Sequence, residues 1–303
     1  AWWENSGTNW VRRTIDPATP GLVDLRATDF DRDGDVDAVA CFGTNAAQLV
    51  WWENVDGLGR AWTERTVSGT AAGVVDLALE DMDGDGGVDV VGAQPVALRA
   101  KWWAGTPPPW PADFSGPAGR VLGTNQFETY ASWADDLDND GDVDIVAGWT
   151  TNKTIRWWKN LDGRFRSWAH YDVTIRATGV VDLVTGDFDR DGDVDIASLG
   201  EDVSWWSRVS DTNWTRHVIL EDSQFFGGKE LATADMDQDG DLDLVFTWGN
   251  AFEGYVTLLR NADGAGGSWL LTQVETNLPN AYPLDLGDFN GDGKKDYLLF
   301  LAG

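Results

Sequence analysis

The sequence predicts an all-β fold: a six-bladed β-propeller with four antiparallel strands per blade, the last blade closed by N-terminal strands. Three observations predict it. A nine-residue acidic frame recurs six times, with start-to-start spacings of 52, 55, 51, 48 and 53 residues. Each copy is accompanied by four apolar, strand-like stretches bounded by Gly, Asn and Asp. The chain also opens and closes in complementary halves of one repeat. Four strands per fifty residues, repeated radially, is the pattern of propeller blades, and no stretch of useful length carries a helical period.

The first strand of each repeat precedes the acidic frame, as in Leu22-Val23-Asp24-Leu25 and Val74-Val75-Asp76-Leu77. The second starts inside the frame, as in Val36 to Ala40, Val143 to Ala147 and Leu242 to Phe246. The third carries a tryptophan pair: Trp51-Trp52-Glu53-Asn54, Trp102-Trp103, Trp157-Trp158-Lys159-Asn160 and Trp205-Trp206, with Leu258-Leu259-Arg260-Asn261 in the fifth repeat. The fourth opens on a single tryptophan at Trp62, Trp110, Trp168, Trp214 or Trp269. Adjacent residues on a strand face opposite sides, so each pair is expected to pack both faces of its blade.

An open solenoid would share this period, and the termini decide against it. Trp2-Trp3-Glu4-Asn5 and Trp10 to Ile15 are strands three and four, whereas Tyr282 to Leu286 and Asp296 to Leu301 are strands one and two. Together they complete one blade, and closing the ring removes the edges an open array must cap. The expected blades span about 21–67, 73–122, 129–175, 179–219, 229–274 and 281–303 joined to 1–15, in a single domain of 303 residues. Ala1 and Gly303 should then meet in the same blade.

The acidic frame is D-x-D-x-D-G-x-x-D. Its first position is Asp29, Asp81, Asp136, Asp187, Asp235 and Asp288; its third is Asp31, Asp83, Asp138, Asp189, Asp237 and Asn290. The fifth is Asp33, Asp85, Asp140, Asp191, Asp239 and Asp292, and the ninth Asp37, Asp89, Asp144, Asp195, Asp243 and Asp296. Carboxylates this close repel unless a cation sits among them, and hard oxygen ligands in this number suit Ca²⁺ rather than Zn²⁺. The sixth position is glycine throughout, as a sharp turn around a small ion requires. The seventh varies freely (Asp35, Gly87, Asp142, Asp193, Asp241, Lys294), as expected of a residue donating only its carbonyl oxygen. An EF-hand begins in the same way but needs a glutamate at position twelve and flanking helices. Position twelve here is Ala40, Gly92, Ala147, Ser198, Phe246 or Leu299, between strands.

With these six in-frame loops the chain resembles the FG-GAP/VCBS repeat family of integrin-alpha-like calcium-binding propellers. The resemblance implies that each loop joins strand one to strand two and holds one Ca²⁺, about six in all. Metal in every blade implies staples that tie strands together. Six blades, a metal loop in each and the Trp-Trp-Glu-Asn signature depart from the integrin pattern, so integrin-type ligand recognition does not carry over.

The formal charge is −29, from 51 acids against 22 bases, and the six loops with Glu80 hold 28 of those acids. Such a field disfavours nucleic acid as a partner. No apolar run reaches transmembrane length, no signal peptide is recognisable, and the single Cys41 excludes an intrachain disulfide. Two glycosylation sequons begin at Asn152 and Asn213.

Departures from the repeat are where ligand binding is expected. Trp133, Trp149 and Trp248 break the pattern. On the face opposite the metal loops the sequence gathers Trp149 and Asn152, Trp248, Asn250 and Phe252, and the inter-blade residues Phe127, Tyr130, Phe225 and Tyr282. Exposed rings beside amides suit sugar CH faces and hydroxyls, and equally suit protein interfaces or the filling of a channel mouth. The expected function is an extracellular or cell-surface binding module, lectin-like or adhesive. It would be a monomeric domain with a glycan or extracellular protein ligand, and part of a larger protein. The alternatives are a lyase acting on an acidic polysaccharide and a purely structural adhesin segment. The only histidines, His170 and His217, fall in outermost strands, and no nucleophile, phosphate or zinc motif is present, so no catalytic residue is assigned.

Overall fold

The computed structural model describes residues 1–303 apart from 7–8, 17–20, 43–47, 69–70, 72, 82–84, 95–98, 104–119, 125–130, 150–152, 164–166, 178, 222–226, 250–252, 279–280 and 302–303; at 93–94, 99–102, 120–124, 132, 281–283 and 300–301 it describes the main chain only. The described residues form 24 strands and no helix, an all-β, propeller-type architecture.

The chain opens with β1 (Trp2–Asn5) and β2 (Trp10–Arg13). Then come β3 (Leu22–Thr28), β4 (Asp37–Phe42), β5 (Leu49–Asn54) and β6 (Trp62–Ser68), followed by β7 (Asp76–Glu80), β8 (Asp89–Gln94), β9 (Arg99–Trp103) and β10 (Arg120–Thr124). Next are β11 (Ala131–Asp135), β12 (Asp144–Gly148), β13 (Ile155–Asn160) and β14 (Trp168–Thr174), then β15 (Asp182–Gly186), β16 (Asp195–Leu199), β17 (Val203–Ser210) and β18 (Asn213–Leu220). The chain ends with β19 (Gly228–Ala234), β20 (Asp243–Gly249), β21 (Gly254–Asn261) and β22 (Trp269–Thr276), then β23 (Ala281–Gly287) and β24 (Asp296–Leu301).

These strands pair into six four-stranded sheets, five of them simple antiparallel meanders in chain order. The sixth runs β2-β1-β24-β23, so the N-terminal strands complete the C-terminal half-repeat. Trp2 lies opposite Leu298 and Trp3 opposite Tyr297. Leu299 N–H donates to the Ala1 carbonyl at 3.0 Å, and the Ala1 ammonium donates to the Leu299 carbonyl at 3.3 Å. Gly303, the other half of the expected meeting of termini, lies outside the described residues. The second repeat departs from expectation in its fourth strand, which is Arg120–Thr124 rather than a stretch opening at Trp110. Trp110 itself is outside the described residues.

Two compact units divide the chain: Ala1–Glu128 with Pro283–Phe300, and Thr129–Tyr282 with Leu301–Gly303. In the first unit the tryptophan pair of β5 packs both faces of its sheet. Trp51 joins Val74, Leu77, Val90 and Trp103, whereas Trp52 joins Trp2, Phe289 and Leu298. In the second unit Trp205 and Trp206 divide in the same way, one with Leu231, Leu244 and Phe246, the other with Leu137, Val146 and Trp157. Burying one such indole removes about 150–250 Å² from water, so these pairs are the main apolar cement between neighbouring sheets.

Polar clasps add to that cement. The Gly59 carbonyl accepts two indole N–H groups, Trp62 Nε1 of its own sheet at 3.0 Å and Trp2 Nε1 of the adjacent one at 3.2 Å. The Gly266 carbonyl repeats this with Trp269 at 2.9 Å and Trp205 at 3.1 Å. A Cβ on Gly59 would stand 2.5 Å from Trp2 Cζ2, and its φ is +65°, so the position requires glycine. Asp24 Oδ2 accepts Leu77 N–H at 2.7 Å, Asp182 Oδ2 accepts Leu231 N–H at 2.7 Å, and Asp285 Oδ2 accepts Ala27 N–H at 2.7 Å, each joining one sheet to the next. Arg26 reaches across from β3 to Asp76 and Leu77, with Asp24 beside it.

Candidate metal loops

Each acidic frame lies between a first and a second strand, and its main chain is held by its own carboxylates. The position-one aspartate accepts the N–H of the position-six glycine in all six loops, from 2.7 Å at Asp288–Gly293 to 3.1 Å at Asp29–Gly34 and Asp187–Gly192. The position-five aspartate accepts the N–H of position seven in all six, from 2.7 Å at Asp85–Gly87 to 3.2 Å at Asp239–Asp241. The position-six glycines have φ between 84° and 102°, as the sequence led us to expect. A second left-handed residue, at position four, was not anticipated: Arg32, Asn139, Arg190 and Gln238 have φ of 58–64°, and Gly291 has 71°. Position two was also missed as a pattern. It is Phe30, Leu137, Phe188, Met236 and Phe289 in the described loops, all buried. Phe30 lies 5.3 Å from Trp51 and Phe289 5.5 Å from Trp2, ring centre to ring centre, so each loop is pinned by an apolar anchor. The recurrence of a large apolar residue at that fixed offset was the available signal.

The position-nine aspartates work inward. Asp37 accepts Phe30 N–H at 3.1 Å and Asn54 N–H at 2.8 Å, and Asp243 accepts Met236 N–H at 3.0 Å and Asn261 N–H at 2.9 Å. Asp195 and Asp296 do the same, each tying position two of its loop to its third strand. Asp144 instead takes Asn160 N–H at 2.7 Å and the Trp157 indole at 3.0 Å. Burial, above all, pushes these carboxyls up: Asp37 to about 8, Asp144, Asp195 and Asp296 to about 7, and Asp243 to about 6. Neighbouring loop carboxylates add to the shift, while the accepted N–H bonds oppose it.

The loops fit a hard cation. Carboxylate oxygens converge within 4.8 Å of one another in four groups: Asp29, Asp31 and Asp33; Asp136, Asp138 and Asp144; Asp187, Asp189 and Asp195; Asp235, Asp237 and Asp239. Asp29 Oδ1, Asp81 Oδ1, Asp138 Oδ1 and Asp241 Oδ1 are buried without a hydrogen-bond partner, an arrangement that costs free energy unless something positive is nearby. Asp31 is raised to about 6, first by burial and then by Asp33, Glu53 and Asp29. Positions one and three are thus brought together in all four groups, with position five in two and position nine in two. The position-seven main chain turns back onto position five. In the second loop Asp83 lies outside the described residues.

The six loops differ in what stands over them. In the sequence the residue after the tryptophan pair, or after Leu258-Leu259 in the fifth repeat, is Glu4, Glu53, Ala104, Lys159, Ser207 or Arg260. Glu4 and Glu53 pair with Arg13 and Arg65. Lys159 instead reaches into its loop and pairs with Asp138, with Asp140 at 3.5 Å. Arg260 Nη1 stands 3.5 Å from Asp237. Position-four side chains also link neighbouring loops: Arg32 to Asp81 at 3.6 Å in the first unit, and in the second Asn139 to the Gly192 carbonyl at 3.0 Å and Arg190 to Asp241 at 3.7 Å.

The expected ligand face is only partly visible. Trp149 is buried, its ring 5.6 Å from Trp158 with the Arg156 guanidinium over both, which corrects the expectation of an exposed ring. Trp133 lies in β11 and packs into the cores of the second unit. Trp248 is half-buried, stacked on Tyr255 with centres 4.2 Å apart, and its indole donates to Thr257 Oγ1 at 2.9 Å. Asn152, Asn250, Phe252, Phe127, Tyr130 and Phe225, and the side chain of Tyr282, lie outside the described residues. Both histidines are in fourth strands, β14 and β18. His217 is stacked on Trp205 at 4.1 Å and shares a 3.0 Å hydrogen bond with Ser207.

Meandering four-stranded sheets with a nine-residue acidic loop between first and second strands define a β-propeller built from acidic-loop repeats. The FG-GAP-like repeat model matches residues 29–92, 136–198 and 235–299, more than half of the chain, and the chain belongs to that family. No curated protein matches the sequence. Among solved structures, the exotype rhamnogalacturonan lyase YesX is similar at 14% identity and a TM-score of 0.43, over 90% of this chain and 53% of that one. The present chain therefore spans about half the length of that lyase, and the likeness carries no argument about activity.

Proposed function

We propose that the chain is a calcium-stapled, six-bladed propeller acting as a binding module. Its place is the cell surface or the extracellular space, and its ligand class is glycan. The observation that carries the calcium part is the common hydrogen-bond frame of the loops. It brings the carboxylates of positions one and three together, with position five in two loops and position nine in two others, and leaves buried oxygens at Asp29, Asp81, Asp138 and Asp241 without a hydrogen-bond donor. Ca²⁺ would coordinate these oxygens, which accept no hydrogen bond. Position nine accepts two N–H bonds, which fasten the loop to the third strand, and would share its remaining lone pairs with the ion.

The glycan part rests on the Trp248–Tyr255 stack. β20 runs from Asp243 at the loop end to Trp248 at the far end, so the stack lies at the end of its sheet away from the acidic loop. Glu253 stands beside it, 3.4 Å from the Tyr255 hydroxyl. A half-buried aromatic platform next to a carboxylate offers a ring face for sugar CH groups and an acceptor for hydroxyls. A glycan array probed with and without Ca²⁺, with Trp248→Ala alongside, tests this reading. Retained binding by the wild type and loss in the variant support it. Absence of any hit, together with a rise in unsaturated-uronate absorbance on an acidic polysaccharide, would replace it with the lyase alternative.

A further inference from the structure

We propose that Lys159 is the built-in cation of the 136–144 loop, so that this loop takes a divalent cation more weakly than the 29–37 loop. The inference rests on the calcium reading above and assigns a different cation demand to individual repeats.

Lys159 follows the tryptophan pair on β13, at the position Glu53 holds on β5. On β13 that position reaches the position-three carboxylate of its own loop. Glu53 carries the opposite charge there and pairs with Arg65, whereas Lys159 pairs directly with Asp138. The side chains involved are largely shielded: Asp138 is 6% and Lys159 19% exposed. The ammonium also lies 6.0 Å from the centre of the Trp157 ring, whose face favours a cation. Asp140, 3.5 Å away, is the second carboxylate it neutralises. A lysine so placed meets part of the demand that a metal meets elsewhere, and a divalent cation entering the loop must first displace or repel it. A glutamate at the same position has the opposite effect. It raises the negative field, and its own partner, Arg65, stands on the neighbouring strand β6 rather than in the loop. Arg260, 3.5 Å from Asp237, places the 235–243 loop on the lysine side of this division.

The test is calorimetric titration of the metal-free full-length chain with CaCl2, paired with Tb³⁺ luminescence sensitised by tryptophan, on wild type, Lys159→Glu and Glu53→Lys. Lys159→Glu should tighten one equivalent by about tenfold or more, and Asp138→Asn in that background should abolish the gain. Glu53→Lys should weaken one tight equivalent by a similar factor. Lys159→Gln, neutral and close in size, gives a smaller shift in the same direction and serves if the glutamate variant fails to fold. Isotherms of the Lys159 variants that superimpose on a cation-binding wild type would overturn the inference while leaving the calcium reading in place. A wild type that takes up no divalent cation, with variants that take up none, would overturn both.

Discussion

Replacing Arg26 by methionine removes the centre of a buried charge cluster without opening a large void. Arg26 is 5% exposed; its Nε donates to the Leu77 carbonyl at 2.7 Å, Nη2 to Asp76 at 2.9 Å and Nη1 to Asp24 at 3.1 Å. Asp24 and Asp76 are 1% and 5% exposed, so the variant takes the guanidinium away from two carboxylates in low dielectric. Breaking a buried pair from one side typically costs about 3–5 kcal/mol, a large share of the 5–15 kcal/mol that holds a protein folded. The assay is urea unfolding followed by tryptophan fluorescence in saturating Ca²⁺, so that cation uptake does not differ between the proteins. Two signatures are expected. Asp76→Asn added to Arg26→Met should cost less than the sum of the single changes, with a coupling of about 1 kcal/mol or more. The deficit should also shrink as the pH falls from 8 toward 5. In the variant the folded-state carboxyls are raised above their unfolded values, so the folded form binds more protons and gains stability on acidification. A deficit below about 1 kcal/mol, or one independent of pH, would refute the clasp.

Three further outcomes follow from the same physics. Without divalent cation, stability should fall as the pH rises from about 5 to 8. Asp37, Asp144, Asp195, Asp243 and Asp296 are all raised, so the folded state binds more protons than the unfolded state in that window. A thermal midpoint that rises with pH in EGTA would contradict this. Gly59→Ala should lose about 1–3 kcal/mol in chemical denaturation, since its Cβ meets Trp2 and its φ is +65°; an unchanged midpoint would show that the indole yields freely. Phe30→Ala should cost about 3–5 kcal/mol and weaken one Ca²⁺ equivalent, because the anchor of the 29–37 loop is lost. Calorimetric titration and urea unfolding of the same sample check both effects.

Much of the fold was legible because it is periodic. A glycine that must turn around an ion, a tryptophan pair that must face both ways and a strand that starts inside the acidic frame recur at fixed offsets. The N-terminal Trp-Trp-Glu-Asn could be matched to the C-terminal half-repeat for the same reason, and Trp2 does lie opposite Leu298. The contacts that were not legible join residues of different repeats, 50 apart for Arg26 with Asp76 and 258 apart for Asp285 with Ala27. They depend on the distance between sheets, which a sequence period does not encode. Trp149 shows a second limit: breaking the repeat marks a residue as special but does not say whether its ring points to solvent or, as here, lies against Trp158. The position-two anchors and the shared Gly59 and Gly266 acceptors were visible in principle, since the offsets from Asn54 to Trp62 and from Asn261 to Trp269 are identical.

Thermal unfolding of the full-length chain at neutral pH, as a function of free Ca²⁺, tests most directly whether the acidic loops are fastenings. Each site that binds only the folded state adds about 2.7 kcal/mol at a hundredfold excess over its dissociation constant. The midpoint should therefore climb steadily with the logarithm of Ca²⁺ concentration and collapse in EGTA. A midpoint that is the same in millimolar Ca²⁺ and in EGTA would contradict the account.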